Sequence, residues 1–172
     1  MNRALLHGLW REARPRQWVK NVLVLAGPGA AGVLDNGPYA WRTAMMVVAF
    51  CMVASGGYFW NDVHDHPHDR NHPVKQHRPI ASGAVPLGVA QVVGTVLLAA
   101  GIALAAVTRW EAGVVAAIYV VLTWLYSTLL KHVAVIDLVV VASFYVLRAI
   151  GGAVAADVKM STWFLLTTSF AS

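Results

Sequence analysis

Charged residues are scarce in this chain of 172 residues, where they make up 12% of the sequence. Soluble domains usually carry about twice that share. Hydrophobic residues reach 58%, which excludes intrinsic disorder, because disorder requires low hydrophobicity and high net charge. The composition is also too apolar for an ordinary water-soluble fold and therefore indicates a membrane protein.

Cysteine is almost absent as well. Cys51 is the one cysteine, and it lies in an apolar run, so a disulfide framework and a cysteine zinc site are both excluded. The formal net charge is +5, but the basic residues flank apolar stretches and form no continuous face. This pattern favours a membrane over nucleic acid as the partner.

Several apolar segments are long enough to cross a bilayer, which takes about 20 residues. Five qualify, at residues 18–34, 40–60, 87–107, 112–130 and 133–156, and a sixth begins near Thr162 shortly before the last residue. The sequence therefore predicts an all-α fold. It is a polytopic transmembrane helical bundle with about five complete spans and the start of a sixth, in one domain over residues 1–172.

The distribution of basic residues predicts the orientation of the bundle. Of the 13 lysines and arginines, Arg42, Arg109 and Lys159 lie on one side and Arg148 lies within the fifth span, which leaves nine on the side of the N-terminus. By the positive-inside rule the N-terminus and the long polar segment 61–86 face the cytoplasm of a multi-pass cell-membrane protein. Because a charge at mid-bilayer costs about 2.5–3.5 kcal/mol, we expect Arg148 to face the bundle interior or a polar cavity.

The polar segment 61–86 contains aspartates with helical spacing. Asp62, Asp65 and Asp69 are at i, i+3 and i+7, so they share one face if the second span continues as a helix. Carboxylates so placed can hold Mg²⁺, which shares its coordination shell with phosphates. Lys75 and Arg78 follow and can contact the remaining oxygens of a metal-bound diphosphate. The alternative is a set of solvated charges, which does not explain the spacing.

Histidines in the same segment allow a second interpretation. His64, His68 and His72 are at i, i+4 and i+8, a spacing that could bind Zn²⁺. Pro67 lies between them and removes a helical hydrogen bond. A solvated loop is the simpler interpretation, and a non-catalytic metal-handling membrane protein remains an alternative.

Asn61 completes the pattern N-D-x-x-D-x-x-x-D with the three aspartates, which resembles the first acidic motif of the UbiA-type intramembrane prenyltransferase superfamily. Three further features resemble its decaprenyl-phosphate phosphoribosyltransferase branch. They are residues 14–21 (RPRQWVKN), residues 72–83 (HPVKQHRPIASG), and Tyr126-Ser127 with Lys131-His132. The resemblance covers nearly the whole chain.

This resemblance implies a Mg²⁺-dependent transferase that moves 5-phosphoribose from phosphoribosyl diphosphate to a polyprenyl (decaprenyl) phosphate, in the synthesis of cell-wall arabinan precursors. The aspartates would be the catalytic metal ligands, and the implied substrate and phosphate contacts are Lys20, Asn61, Lys75, Arg78, Tyr126 and Lys131. A rival within the superfamily is prenyl transfer from a prenyl diphosphate to an aromatic acceptor. The acidic motif is common to both reactions and does not choose between them.

Two features depart from the family pattern: Pro67 within the motif, which could tilt Asp69 away from the other two aspartates, and, as the larger departure, length. The superfamily usually has nine helices and a second acidic motif, and this sequence reaches residue 172 before such a motif. We therefore expect the N-terminal part of a UbiA-like bundle, completed by a C-terminal half or by a second copy of the chain, and inactive in transfer by itself.

Overall fold

In the computed structural model, which describes residues 3–130 and 134–160, the described chain is built from helices and turns. The elements in chain order are α1 (Arg3–Glu12), a 3₁₀ segment (Pro15–Leu25), α2 (Ala26–Ala30), α3 (Gly37–Asp69), a 3₁₀ turn (Lys75–His77), α4 (Leu87–Thr108), α5 (Trp110–Thr128) and α6 (Ala134–Ala155).

Four of these helices are long and apolar enough to cross a membrane, namely α3, α4, α5 and the part Ile136–Ala155 of α6. They correspond to the second to fifth predicted spans and confirm the all-α membrane bundle. The sixth predicted segment lies outside the described residues.

The first predicted span, residues 18–34, does not form one continuous helix. The chain runs as a 3₁₀ segment to Leu25, then as the five-residue α2, and turns at Gly32, where φ is 65°. Gly27, Pro28 and Gly29 occupy α2, and these residue types are the poorest formers of a helix interior. The apolar composition was therefore sufficient to predict a span, but the glycines and the proline break it.

Helix α3 extends beyond the predicted second span and includes the acidic motif. It contains 33 residues and ends at Asp69, with Pro67 inside its last turn. The segment predicted as a loop from residue 61 therefore becomes irregular only at Arg70, and the three motif aspartates lie on one helix.

Helix α3 also forms the centre of the bundle. Its residues Met46, Phe50 and Val53 are fully buried and pack with Tyr119 of α5. Small residues allow neighbouring helices to approach, as expected for membrane bundles. A Cβ atom added at Gly56 would lie 2.9 Å from the Gly94 carbonyl oxygen of α4.

A second apolar cluster fixes α1 and the loop at one end of α3. Phe59, Ile80, Val85 and Ala90 form its buried part, and Leu5 and Leu9 of α1 are among the residues that pack against it. The N-terminal helix, the acidic motif and the loop therefore share one end of the bundle, which we call the motif end.

The 3₁₀ segment packs against α6 without space for a side chain. A Cβ atom added at Gly152 would overlap the backbone carbonyl group of Val24. We therefore expect Gly152→Ala to destabilise the protein by about 1–3 kcal/mol, as overpacking usually does. Thermal unfolding in detergent measures this effect. Gly88→Ala is the control, because no atom lies within 4 Å of the added Cβ, and an equal melting temperature for both variants would contradict the close approach.

Candidate active site at the motif end

Asp62 is one of the two buried aspartates of the acidic motif, together with Asp69. Its residue is 2% exposed, and both carboxylate oxygens accept hydrogen bonds from arginines. Nη2 of Arg14 donates to Oδ2 at 2.6 Å, and Nη1 of Arg78 donates to Oδ1 at 3.1 Å. Nδ2 of Asn61 is 3.3 Å from the same Oδ1. Asp62 thus joins α3 to the segment before it and to the loop after it.

Asp69 shares one of these arginines. Nη1 of Arg78 donates to its Oδ2 at 2.7 Å, and the ammonium of Lys75 lies 3.9 Å from its Oδ1. Arg78 therefore bridges two aspartates that are seven residues apart. It can do so because the two aspartates lie on the same face of the helix. The two predicted phosphate contacts of the loop, Lys75 and Arg78, are ion-paired to the motif.

Asp65 has a different environment from the other two aspartates. It is half-buried and accepts a hydrogen bond of 3.4 Å from Nδ2 of Asn61. Within residues 3–130 and 134–160, no three His, Cys, Asp or Glu side chains are grouped so that they could hold a metal ion. The metal-ligand role of Asp62, Asp65 and Asp69 therefore stays a prediction.

The histidines of the segment are exposed at positions 64, 68 and 72. Nδ1 of His72 accepts hydrogen bonds from the backbone N–H groups of Val74 and Lys75, at 3.2 and 3.3 Å. This histidine therefore has a role in the turn after α3, and the structure provides no support for a zinc site formed with His64 and His68.

Glu12 is a buried carboxyl group that the sequence did not single out. It is 1% exposed, and neither of its oxygens accepts a hydrogen bond from a described group. Burial, followed by the charge of the neighbouring Asp62, raises the pKa of Glu12 to about 8. Its position at the end of α1, after several basic residues, was the only available signal.

A cavity of about 280 Å³, which we call the chamber, lies between the helices next to the motif. Three predicted contacts, Lys20, Asn61 and Tyr126, line it, and so do Arg14 and Arg148. Its described lining includes three cationic side chains and no carboxylate. The chamber is therefore complementary to an anion.

Arg148 lies at the inner side of this chamber and is 4% exposed. Its Nε donates to Oδ1 of Asn21 at 2.8 Å, its Nη2 to the Tyr119 hydroxyl at 2.8 Å, and its Nη1 to the Phe144 carbonyl at 2.7 Å. The expectation that this arginine faces the bundle interior is confirmed. Its neutral partners leave its positive charge uncompensated by any described ion pair.

An apolar groove of about 370 Å³ adjoins the chamber. The two cavities share Gly57, Asn61, Thr123 and Ser127, and the rest of the groove is mainly apolar, with Trp60, Leu98, Val120, Val121 and Trp124 in its lining. An anionic group in the chamber can therefore belong to a molecule whose apolar part lies in the groove.

A third cavity, of about 340 Å³, opens on the other side of Arg14. We call it the outer cavity, and Glu12, Asp62, Lys75 and Arg78 are among the residues that line it. Lys20, Asn61 and Tyr126 thus line the chamber, whereas Asp62, Lys75 and Arg78 line the outer cavity. Arg14 lines both, and Asp65 and Asp69 line neither. Lys131, another predicted contact, lies outside the described residues.

The different environments of the aspartates predict different effects on stability. Asp62→Asn leaves two guanidinium groups without their shared carboxylate, so we expect a loss of about 2 kcal/mol. This is less than the about 3–5 kcal/mol of a fully buried pair, because the Arg14 and Arg78 side chains are 30% and 27% exposed. Asp65→Asn should lower the free energy of unfolding by less than Asp62→Asn does, because Asp65 is half-buried and Asp62 is buried. Thermal unfolding of both variants in detergent tests the difference, and a larger loss in Asp65→Asn would contradict it.

Glu12 should make stability depend on pH. Its pKa rises from an ordinary 4.5 in the unfolded chain to about 8 in the folded one. The folded state then retains a proton that the unfolded state releases, so this stability is complete below about pH 4.5 and is lost as the pH rises through about 8. Glu12→Gln should remove this part of the dependence. Melting temperatures at pH 6 and pH 9 measure it, and parallel curves for wild type and variant would refute the assignment.

Comparison with known proteins finds relatives that match nearly the whole chain. The model of the UbiA prenyltransferase family matches residues 22–172. A decaprenyl-phosphate phosphoribosyltransferase from Mycolicibacterium smegmatis is 41% identical over 98% of this chain and 54% of its own length. One from Mycobacterium tuberculosis is 43% identical over 98% of this chain and 57% of its own length. The chain thus spans about half the length of these relatives.

A solved structure has the same fold. It is described as a digeranylgeranylglyceryl phosphate synthase in membranes, with a TM-score of 0.77 and 19% sequence identity, and the match covers 96% of this chain and 57% of that one. A likeness at this identity shows the fold alone. Together with the family match and the acidic motif at the end of α3, it leads to the conclusion that this chain belongs to the UbiA prenyltransferase family.

Proposed function

We propose that the protein is an integral-membrane transferase that moves 5-phosphoribose from phosphoribosyl diphosphate to a polyprenyl phosphate such as decaprenyl phosphate. The observation that carries this proposal is the cationic chamber beside the acidic motif, whose described lining holds Arg14, Lys20 and Arg148 and no carboxylate. Both proposed substrates are phosphates. The similarity to named decaprenyl-phosphate phosphoribosyltransferases supports the choice of donor and acceptor.

In this reaction a phosphate oxygen of the acceptor attacks the anomeric carbon of the ribose. The bond from that carbon to the diphosphate breaks, and the electron pair leaves with the diphosphate. Negative charge therefore grows on the leaving group, where fixed cationic side chains stabilise it. Lys20, Lys75 and Arg78 are the proposed groups, with Lys131 as a further prediction. Asn61 and Tyr126 would orient the substrate from the chamber wall.

UbiA-type prenyltransferases generally use a divalent metal. Asp62, Asp65 and Asp69 are the residues proposed to hold it, because carboxylate oxygens suit Mg²⁺. A bound Mg²⁺ would supply positive charge to the diphosphate. Asp65 lies between the other two aspartates on the same helix and is half-buried. Its carboxylate is therefore accessible to an ion at the motif end.

The apolar groove beside the chamber is the proposed site of the polyprenyl chain. Its connection to the chamber through Asn61 and Thr123 allows the lipid phosphate to enter the chamber while the chain stays among apolar side chains. We further propose that the motif end faces the cytoplasm of the plasma membrane, since most of the basic residues lie there. The product would then supply the synthesis of cell-wall arabinan precursors.

Membranes in which the chain is completed by a C-terminal half, as in its longer relatives, provide the direct test. They are incubated with labelled phosphoribosyl diphosphate and decaprenyl phosphate, and in a parallel arm with labelled prenyl diphosphate and 4-hydroxybenzoate. Lipid-linked phosphoribose in the first arm alone is the expected result. Product in the second arm alone would replace phosphoribosyl transfer by prenyl transfer to an aromatic acceptor, and no product in either arm would contradict both.

Asp65→Asn should separate chemistry from folding in the same assay. Asp65 is proposed to hold the metal that stabilises the leaving diphosphate. We therefore expect turnover to fall by at least about a hundredfold, which corresponds to about 2.7 kcal/mol in the activation free energy. Asp35→Asn is the matched control, because Asp35 is exposed in the turn before α3. Near-normal turnover of Asp65→Asn at saturating Mg²⁺ would remove Asp65 from the site.

A further inference from the structure

Arg14 has an unusual backbone conformation. Its φ and ψ are 51° and 56°, in the left-handed region, which costs a residue with a side chain about 1–2 kcal/mol. Pro15 follows and disfavours the right-handed helical conformation at residue 14, but an extended conformation satisfies that constraint. The left-handed conformation therefore has another cause.

Contacts on both sides of residue 14 maintain this conformation. The Ser55 hydroxyl on α3 donates to the Ala13 carbonyl at 2.9 Å, and Nε1 of Trp18 donates to the same hydroxyl at 3.0 Å. The backbone N–H of Gln17 donates to the Arg14 carbonyl at 2.8 Å. Strain that neighbouring contacts maintain in this way is concentrated at functional sites. At residue 14 the strained conformation places the Arg14 guanidinium between the chamber and the outer cavity.

The guanidinium of Arg14 is fixed on one edge and open on the other. Nη2 donates to Asp62 at 2.6 Å, and the guanidinium carbon lies 4.7 Å from the centre of the Tyr58 ring. This is the one side-chain hydrogen bond that Arg14 makes to the described residues. The side chain is 30% exposed and lines both the chamber and the outer cavity. Its remaining N–H donors are therefore available to a ligand at this junction.

We propose that Arg14 is a diphosphate-binding residue that donates to Asp62 with one edge and to a phosphate oxygen of the diphosphate substrate with the other. The inference deepens the proposed function and depends on it for the identity of the donor. A guanidinium suits this position because its planar set of five donors can serve two anions at once, which a lysine ammonium cannot do in a fixed plane. Tyr58 keeps that plane in place.

Binding of inorganic diphosphate to the chain in lipid nanodiscs tests the proposal. Titration calorimetry in excess Mg²⁺ compares wild type with Arg14→Gln and with the control Arg16→Gln, since Arg16 is exposed two residues away. We expect Arg14→Gln to weaken binding at least about tenfold and Arg16→Gln to stay within about twofold of wild type. Unchanged affinity in Arg14→Gln, or no binding by wild type, would overturn the proposal.

A double-mutant cycle separates direct contact from an effect through Asp62. If Arg14 contacts the diphosphate, Arg14→Gln should still weaken binding in the Asp62→Asn background, although by a smaller factor than in wild type, because the two side chains are in contact and their effects are coupled. If it only positions Asp62, the double variant should bind like Asp62→Asn alone, which would refute direct contact. Arg14→Gly adds a check on folding, because glycine adopts the left-handed conformation freely. It should melt above Arg14→Gln and bind diphosphate equally poorly.

Chemical protection tests the same contact without any variant. Phenylglyoxal modifies accessible arginines, and peptide mass spectrometry reports each site. Diphosphate should slow modification of Arg14 at least about fivefold and leave Arg16 unaffected; equal rates at Arg14 with and without diphosphate would contradict the proposal. This proposal and the proposed function can fail independently. Diphosphate binding through Arg14 can persist in a protein whose membranes form no lipid-linked phosphoribose.

Discussion

The motif end depends on the buried carboxylate of Asp62. An ionised carboxylate that is 2% exposed needs partners, because an uncompensated buried charge is strongly destabilising. Its two arginine partners come from opposite directions along the chain, Arg14 from 48 residues before it and Arg78 from 16 residues after it. One ion-pair network therefore joins the N-terminal segment, α3 and the loop. The positions of Arg14 and Arg78, two of the proposed diphosphate contacts, depend on it.

A second polar cluster, deeper in the bundle, holds the other part of the 3₁₀ segment. Arg148 of α6 binds Asn21, whose side-chain amide also lies 3.1 Å from the sulfur of Cys51. The segment is thus attached at Arg14 near the motif and at Asn21 near the interior. Lys20 lies between these two attachments and lines the chamber.

The features that could be predicted from the sequence are those with a local pattern. Long apolar runs predicted α3 to α6, the spacing of the aspartates predicted that they share one helix face, and the cost of a charge in the bilayer predicted an interior position for Arg148. The partners of Asp62 could not be found in this way, because ion pairs between distant segments leave no periodicity. The burial of Glu12 depends on the docking of α1 against the loop, which is also a tertiary contact. The break in the first span could have been predicted from Gly27, Pro28 and Gly29. The apolar composition of residues 18–34 favoured a continuous span instead.

The length of α3 has a consequence for where chemistry can take place. Its 33 residues extend about 50 Å, whereas the hydrocarbon core of a bilayer is about 30 Å thick. The last nine residues, from Asn61 to Asp69, alone extend over about 13 Å. If the apolar part of α3 fills the hydrocarbon layer, the carboxylates lie at the depth of the phospholipid headgroups. A lipid phosphate already occupies that depth, so an acceptor would reach the carboxylates by lateral diffusion, with its chain still in the membrane.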